Sequence, residues 1–148
     1  MDTPRASTAS TARAPVVHTL RPEQCRERLR TATVGRVGFV TALGLQIIPL
    51  NYRLVGGEIL LSTTRNGSLS QLAEIGAALT FEVDEHDSDT GLVWSVMVQG
   101  SVAKVPRGTA GGRAATDLVE SWPGSQFAEA LRFTPRTYSG RLLEHPTP

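Results

Sequence analysis

The chain has 148 residues, of which 40% are hydrophobic, 20% charged and 5% aromatic, and this is the size and balance of one globular domain. Fifteen Lys and Arg against fourteen Asp and Glu give a net charge of +1, which argues against binding to nucleic acid or to an anionic membrane. The single cysteine, Cys25, excludes an intrachain disulfide and a thiolate metal cluster, and we predict a cytoplasmic protein with no membrane partner.

The N-terminal segment is poor in large apolar side chains. This predicts a disordered tail over residues 1–18 and one folded domain over residues 19–148. A short helix is predicted over 22–30, because Pro22 suits a first helical turn. Cys25 lies on the apolar face of that helix, so we expect its thiol to pack rather than react.

Three β-rich segments follow, at 34–41, 45–52 and 58–63. The loops between them are short, which favours an antiparallel meander over a parallel sheet with its longer crossovers. Pro49 lies inside the second segment and has no N–H for a ladder. It therefore predicts an edge, a bulge or a gap that faces a ligand.

The remainder alternates between short helices and strands. A helix capped by Asn66 is predicted to lie across a barrel mouth or sheet face, because apolar residues recur there at helical spacing: Leu69, Leu72, Ala73 and Ile75. Alternating side chains predict strands over 79–84 and 93–105. Short helices at 114–120 and 126–132 and a final strand at 133–143 complete the prediction.

Six strands with only short helices between them predict a mainly β fold, a small antiparallel barrel. The motifs of serine hydrolases and of the common nucleotide-binding loops do not occur in the sequence. Familiar hydrolytic and nucleotide-loop chemistry is therefore excluded.

Three stretches carry residues suited to ligand binding. The acidic run 84–89 offers metal-ligand types, but its spacing favours a solvated turn, so we predict no metal site. Trp94, with Ser95 beside it, either stacks on a planar ligand or packs in the core. The run 62–68 leads from a strand end into a helix with hydroxyls and a guanidinium, which suits a phosphate; ordinary helix capping is the alternative.

The order of five segments resembles the pyridoxamine 5′-phosphate oxidase-like family, the flavin-binding split β-barrels, in the form common in actinobacteria. These segments are 34–39 (VGRVGF), 48–52 (IPLNY), 61–63 (LST), 81–84 (FEVD) and 91–100 (GLVWSVMVQG). The resemblance implies a six-stranded antiparallel split barrel and a homodimer. It also implies two equivalent sites for FMN, or alternatively a deazaflavin, at the subunit interface.

The resemblance also assigns site residues by position. Pro49, Leu50 and Asn51 would run beside the isoalloxazine ring, and Trp94 with Ser95 would close the site from the other subunit. The hydroxyl-rich strand end would approach the ribityl phosphate with Ser62, Thr63 and Thr64, and Arg65 and Ser68 follow in the turn as further candidates for this site.

Two positions differ from the family's common pattern: Ser68 replaces a lysine, and Gln99 replaces an arginine. A charged hydrogen bond contributes about 1.5–3 kcal/mol, or roughly tenfold to a hundredfold in affinity, so we expect weaker phosphate binding, with Arg65 as the neighbouring cation. The arginine-rich C-terminal signature of the vitamin oxidase is also missing, so we do not predict oxidation of pyridoxamine phosphate.

These features together predict a flavin-binding oxidoreductase that moves hydride or electrons between a reduced nicotinamide or deazaflavin and a small acceptor. None of the three histidines maps to the ring, so no catalytic acid or base is assigned. The alternative is a non-catalytic protein on the same barrel that binds flavin or haem. A nucleic-acid barrel is disfavoured by the near-zero charge and the few aromatic residues.

Overall fold

The computed structural model describes residues 14–106, 109–120 and 128–144. Seven strands and three helices are present in these ranges. In chain order they are β1 (Val16–Leu20), α1 (Pro22–Leu29), β2 (Val34–Thr41), β3 (Gly44–Val55), β4 (Glu58–Thr64), α2 (Ser68–Glu74), β5 (Ala78–Asp87), β6 (Leu92–Lys104), α3 (Ala110–Glu120) and β7 (Ala128–Glu144). No helix in this described part is long and apolar enough to cross a membrane.

Six of the strands close into an antiparallel barrel, as the sequence predicts. β4, β3, β2, β5 and β6 are neighbours in that order, and β7 pairs with both β4 and β6, which closes the ring. The predicted meander β2–β3–β4 is confirmed with hairpin register, from Thr41↔Gly44 and Val55↔Glu58 outward. The inward faces of the strands form the main core, which includes Phe81 and Phe133, both fully buried.

The predicted alternation in β5 and β6 is confirmed. In β5, Leu79, Phe81 and Val83 are buried, while the residues between them are more exposed. In β6, the inward positions begin with Trp94 and end with Val102, and they are buried in the same way.

The longest strand, β7, corrects one prediction. Residues 128–132 form its first part and not a helix, while 121–127 lie outside the described residues. Leu131 and Phe133 point into the core, and the backbone here pairs with β4 on one side and β6 on the other. A strand with two partners satisfies its backbone more fully than an isolated short helix does, which is why the strand forms.

The N-terminal boundary also differs from the prediction. Val16–His18 were expected in the tail but form most of β1, which pairs with the end of β7 from Val16↔Glu144 to Leu20↔Gly140. Their side chains are exposed, so backbone pairing with an otherwise free edge holds them, not burial. Residues 1–13 lie outside the described part of the chain.

The helices largely occupy the predicted segments. Helix α1 ends one residue early, and Cys25 is fully buried, with its Sγ against the position of Gly140. Burial raises the pKa of the Cys25 thiol, which keeps it protonated and supports the expected packing role. Helix α3 begins at Ala110, four residues before the predicted start.

Helix α2 departs from the prediction at both ends. Its N-cap is Gly67, and Asn66 instead adopts a left-handed conformation with φ of 61° in the turn before the helix. Leu69 and Ala73 are buried as expected, but Ile75 is 77% exposed because it lies beyond the last helical residue. The turn geometry therefore uses asparagine's tolerance of positive φ rather than its capping oxygen.

Candidate functional site

The barrel is split between β3 and β4. Their pairing runs from Val55↔Glu58 to Tyr52↔Leu61, and among the described residues the earlier part of β3 pairs with β2 alone. Among the described residues, β4 beyond Leu61 keeps only the pairing on its other edge, with β7, which extends from Ile59↔Phe133 to Thr64↔Ala128. The two strands therefore separate, and the opening has residues 49–51 on one side and 62–64 on the other.

The β3 side of this opening is an unpaired backbone edge. The Tyr52 N–H donates to the Thr33 carbonyl at 2.9 Å on the β2 side. Because the N–H groups of a strand alternate in direction, those of Ile47 and Asn51 point away from β2, to the free edge. Pro49 lies midway between these two residues, so its imide nitrogen, which has no N–H, also faces the free edge. Of the three options predicted for Pro49, the structure therefore confirms the edge.

Side chains at this edge alternate between core and surface. Pro49 is exposed, Asn51 is half-buried, and Leu50 between them is only 3% exposed and belongs to the main core. Leu50 therefore supports the edge from below rather than presenting its side chain to the opening.

The hydroxyls on the β4 side face in two directions. The Thr63 side chain points inward, as that of Leu61 does, and Thr63 lies opposite Glu129 of β7. The Ser62 side chain points outward, as that of Leu60 does. Leu60 packs against α3, and Ser62 is only 3% exposed. The Ser62 Oγ is buried and finds no hydrogen-bond partner in the described residues. An orphaned polar atom of this kind costs about 1–3 kcal/mol, and the Ser62 hydroxyl therefore has unused capacity to bond to a ligand or to water.

The turn between β4 and α2 holds the remaining predicted phosphate-binding residues. Thr64, Arg65 and Ser68 are all exposed. The Gly67 N–H donates to the Thr64 carbonyl at 3.2 Å, which tightens the turn, and the Arg65 guanidinium donates to the Ala128 carbonyl at 3.4 Å. The Arg65 guanidinium has no carboxylate partner in the described structure, so this turn carries a net positive charge.

Trp94 and Ser95 do not join this group within one subunit. Trp94 is 3% exposed inside the main core, with the Arg28 guanidinium 5.9 Å from its ring centre, so the packing alternative holds for it. Ser95 lies on the opposite face of β6, paired with Asp84 of β5. In the sheet order, β6 is three strands from β3, which places Ser95 well away from Pro49.

The sequence analysis missed a charged cluster at the barrel end beneath α2. The Lys104 ammonium donates to both Glu129 carboxylate oxygens at 3.0 Å and to the Ser70 hydroxyl. Ser70 is 1% exposed, and Glu129 is the register partner of Thr63. The sequence could have indicated this cluster. Lys104 follows the buried Val102 by two residues in a strand, so its side chain points to the same inward face, where a lysine needs a partner.

A cavity of about 320 Å³ adjoins the other end of the free edge. Asn51 and the exposed guanidinium-bearing residues Arg30 and Arg53 line it, with Leu29 and Leu118. None of its described lining residues is acidic, so this end of the opening is electropositive.

The acidic run forms a turn only at its end, which corrects the turn predicted over 84–89. Residues 84–87 continue β5, because they pair with 92–95 of β6, and the chain turns at 88–91. The Asp87 carboxylate accepts the Thr90 hydroxyl at 2.7 Å and the Asp89 N–H at 2.9 Å. These hydrogen bonds hold the pKa of Asp87 below its usual range, and the bond from the Thr90 hydroxyl has the largest effect. Among the described residues no group of three metal-ligating side chains converges.

Comparisons with known proteins agree with this architecture. A family model described as pyridoxamine 5′-phosphate oxidase matches residues 21–142. No curated protein matches the chain.

Several solved structures share the fold. A Corynebacterium glutamicum protein, provisionally named a pyridoxamine 5′-phosphate oxidase, is 26% identical with a TM-score of 0.68, covering 88% of this chain and 96% of that chain. The FAD-binding protein from Mycobacterium smegmatis is 24% identical with a TM-score of 0.65, covering 86% and 98%. A FAD- and haem-binding protein from the same organism is 15% identical with a TM-score of 0.64, covering 88% and 75%.

Proposed function

Because the chain belongs to the pyridoxamine 5′-phosphate oxidase family, we propose that it is a cytoplasmic, flavin-dependent oxidoreductase that binds FMN in the opening between β3 and β4. A deazaflavin is the alternative coenzyme. The reaction would pass hydride or electrons between a reduced nicotinamide or deazaflavin and a small acceptor. When bound, the flavin supplies this redox chemistry, and the protein supplies orientation and charge.

The observation that carries the proposal is the unmet hydrogen-bonding capacity of the opening. On one side the N–H groups of Ile47 and Asn51 point to a free edge, and on the other the Ser62 Oγ is buried without a partner among the described residues. A heteroaromatic ring with donors and acceptors along one side matches such an edge. The ring would lie beside Pro49 and Asn51, at the edge of β3 that faces away from β2 and pairs with no strand among the described residues.

The phosphate would lie at the β4–α2 turn. Thr64 and Ser68 offer exposed hydroxyls there, and Arg65 offers a cation with no carboxylate partner in the described residues. A second cation, Lys104, lies near Thr63, because its ion-pair partner Glu129 is the residue opposite Thr63 in β7. Glu129 already neutralises the charge of Lys104. Arg65 is therefore the residue on which phosphate affinity chiefly depends.

Dimerisation is part of the proposal. The outward faces of β2, β3 and β6 expose large apolar side chains, at Val34 (54%), Val40 (70%), Leu45 (69%), Ile47 (65%) and Met97 (44%). Monomeric proteins rarely leave so many neighbouring apolar side chains in water. A second copy on this face would bury them, and Ser95, unlike the buried Trp94, is then available to the partner's site. Sedimentation equilibrium tests this: a monomer at micromolar concentration contradicts it.

The direct test is flavin binding by the purified protein. We expect added FMN to give a protein-bound spectrum between about 350 and 500 nm and to raise the melting temperature. Ser62→Ala should weaken FMN binding about twofold to tenfold, the value of one neutral hydrogen bond, without lowering the stability of the free protein. Ser101→Ala, on a half-buried serine of β6, is the matched control and should change neither quantity. Absence of any spectral or thermal change at millimolar FMN would refute the proposal.

The alternative is a carrier or sensor that binds flavin or haem without turnover. The two described histidines supply neither an acid or base beside a bound ring nor an axial ligand for a haem in the opening, because His18 lies on the edge strand β1 beside Glu144 and His86 lies at the far end of β5. Such a protein would bind the chromophore yet consume neither NADH, NADPH nor reduced deazaflavin with any acceptor. Steady-state oxidation of these donors therefore separates the two functions.

A further inference from the structure

Two arginines line the cavity of about 320 Å³ at the end of the free edge of β3. Arg53 belongs to β3 itself, and Arg30 directly follows the last residue of α1. Both residues are exposed, and no acidic residue is among the described lining. The volume is at the small end of the range for ligand sites, so the cavity suits a small molecule or one group of a larger molecule.

Two hydrogen bonds fix the segment that carries Arg30 against the strand that carries Arg53. The Tyr52 hydroxyl donates to the Leu29 carbonyl at 2.6 Å, and the Tyr52 N–H donates to the Thr33 carbonyl at 2.9 Å. Leu29 and Tyr52 are the chain neighbours of Arg30 and Arg53. The fold therefore holds two guanidinium groups at one cavity, where their like charges repel each other until an anion binds between them.

Neither guanidinium is used elsewhere in the described part of the chain. Arg30 and Arg53 have no ion pair and no ring contact there, whereas the guanidiniums of Arg26 and Arg28 lie over aromatic rings. Two unpaired guanidiniums at a cavity without a carboxylate suit a phosphate or a carboxylate, the groups that arginine binds with the best geometry.

The end of α1 does not require these guanidiniums either. Basic side chains often bond to the last carbonyls of a helix, but here other donors do so. The Leu29 carbonyl accepts the Tyr52 hydroxyl, and the Arg28 carbonyl accepts both the N–H and the hydroxyl of Thr31, at 3.0 and 2.8 Å. Helix capping therefore does not explain the position of Arg30.

The cavity continues the proposed ring site along β3. Pro49, Asn51 and Arg53 are alternate residues of the strand, so their side chains share one face. Asn51 belongs both to the free edge and to the lining of the cavity. Arg53 lies two residues further, roughly 7 Å along the strand. A small molecule beside the ring can therefore reach Arg53 with a group at its other end.

The cavity and the proposed dimer use different residues. None of the large exposed apolar residues assigned to the dimer face lines the cavity. The nearest of them in register is Val34, which pairs with Asn51, so the cavity lies at the margin of that face. A second copy on the face would border the cavity rather than fill it.

We propose that this cavity binds a phosphate or carboxylate group of the molecule that exchanges hydride or electrons with the flavin, and that Arg30 and Arg53 hold this group. The substrate is then a small organic anion whose reacting end lies near Asn51. Its assignment as the substrate rests on the proposed flavin function. The β4–α2 turn, on the other side of the opening, remains the proposed site for the phosphate of the coenzyme.

Equilibrium dialysis of the full chain at low ionic strength, with and without FMN, tests the proposal. The probes are phenyl phosphate, benzoate and the neutral benzyl alcohol. We expect at least one anion to bind with a dissociation constant of about a millimolar or lower, and the tighter anion identifies the group. Arg30→Gln and Arg53→Gln should each weaken it about threefold to tenfold, because solvent partly screens an exposed guanidinium. Binding of benzyl alcohol should not change.

Arg141→Gln is the matched control, since it makes the same charge change at an exposed arginine outside the cavity and should affect neither anion. The test variants should keep the fold. Arg53 is exposed, and Arg30 contributes to the end of α1 through its backbone N–H, which donates to the Glu27 carbonyl at 3.1 Å. Equal melting temperatures of the ligand-free proteins check this.

Equal anion affinity in the wild type and in the double variant of Arg30→Gln and Arg53→Gln overturns the proposal, as does a wild type that binds neither anion at millimolar concentration. Competition between the anion and FMN also overturns it, because the cavity would then hold the phosphate of the coenzyme.

Two further outcomes separate this proposal from the proposed function. In the FMN-loaded protein the bound anion should perturb the flavin absorbance, and an unchanged spectrum at saturating anion overturns its assignment as the substrate. If FMN does not bind while arginine-dependent anion binding persists, the flavin proposal alone fails and the anion site stands.

Discussion

Tyr52 anchors the end of the open β3 edge to helix α1. Its side chain is 3% exposed, its hydroxyl donates to the Leu29 carbonyl at 2.6 Å, and its ring packs edge-on against Phe81 with centroids 5.0 Å apart. Tyr52→Phe keeps the ring contact but removes the hydrogen bond and leaves a carbonyl near the end of α1 without that partner. The expected loss is about 1–2 kcal/mol in the free energy of unfolding, or about 2–6 °C in melting temperature for a chain of this size.

The same residue gives this prediction a pH signature. Burial raises the pKa of Tyr52 well above its ordinary value of about 10, because the phenolate would lose its hydration. A raised folded-state pKa means that the contribution of Tyr52 to stability is fully present below pH of about 10 and is lost as the pH rises further. The slope approaches about 1.4 kcal/mol per pH unit for this one group. Tyr52→Phe has no such group, so its stability should fall less steeply above pH 10.

Urea unfolding followed by far-UV circular dichroism at pH 8, 9.5 and 10.5 measures both effects. The raised pKa of Cys25 also contributes to alkaline destabilisation, but it does so in both proteins and cancels in the difference. Tyr138→Phe is the matched control: Tyr138 is half-buried, and its ring lies 4.7 Å from the Arg26 guanidinium, a contact that the substitution keeps. Equal stability of wild type and Tyr52→Phe at pH 8, or parallel losses above pH 10, would refute the reasoning.

Two further substitutions test the packing of the barrel. Gly100→Ala should cost about 1–3 kcal/mol, because a Cβ there would collide with the Thr134 carbonyl at the bulge; Gly38→Ala, with open space around it, should be near neutral in the same thermal melts. Glu129→Gln should cost about 1–2 kcal/mol by urea unfolding, because the Lys104 ammonium loses its carboxylate partner at the barrel end. An unchanged unfolding midpoint in either Gly100→Ala or Glu129→Gln would contradict the corresponding contact.

The elements that follow from local pattern were predictable. Leu79, Phe81 and Val83 alternate with polar residues. Because side chains of a strand alternate between its two faces, these three residues share one face and are buried together. Pro49 marked an edge because an imide nitrogen cannot donate, whatever the rest of the chain does. The assignment of 49–51 and 62–64 to the two sides of the proposed site came from the family resemblance, while local pattern contributed the break at Pro49 and the hydroxyl-rich strand end.

Other features depended on partners distant in sequence. Residues 128–132 match a helical pattern locally. They form a strand only because β4 and β6 each have an edge with which this segment pairs. Val16–His18 have little to bury and are ordered by the end of β7. Trp94 could have packed or stacked on a ligand until the fold placed it in the core beside α1.

The sequence by itself determined an antiparallel β-barrel, its inward faces and the edge at Pro49, since these depend on side-chain period and backbone chemistry within a few residues. Only the tertiary structure decided that Lys104 meets Glu129, that Ser62 is buried with no hydrogen-bond partner in the described part of the chain, and that Arg136 lies at a bulge beside a groove. These depend on register between strands far apart in the chain, which local composition does not encode.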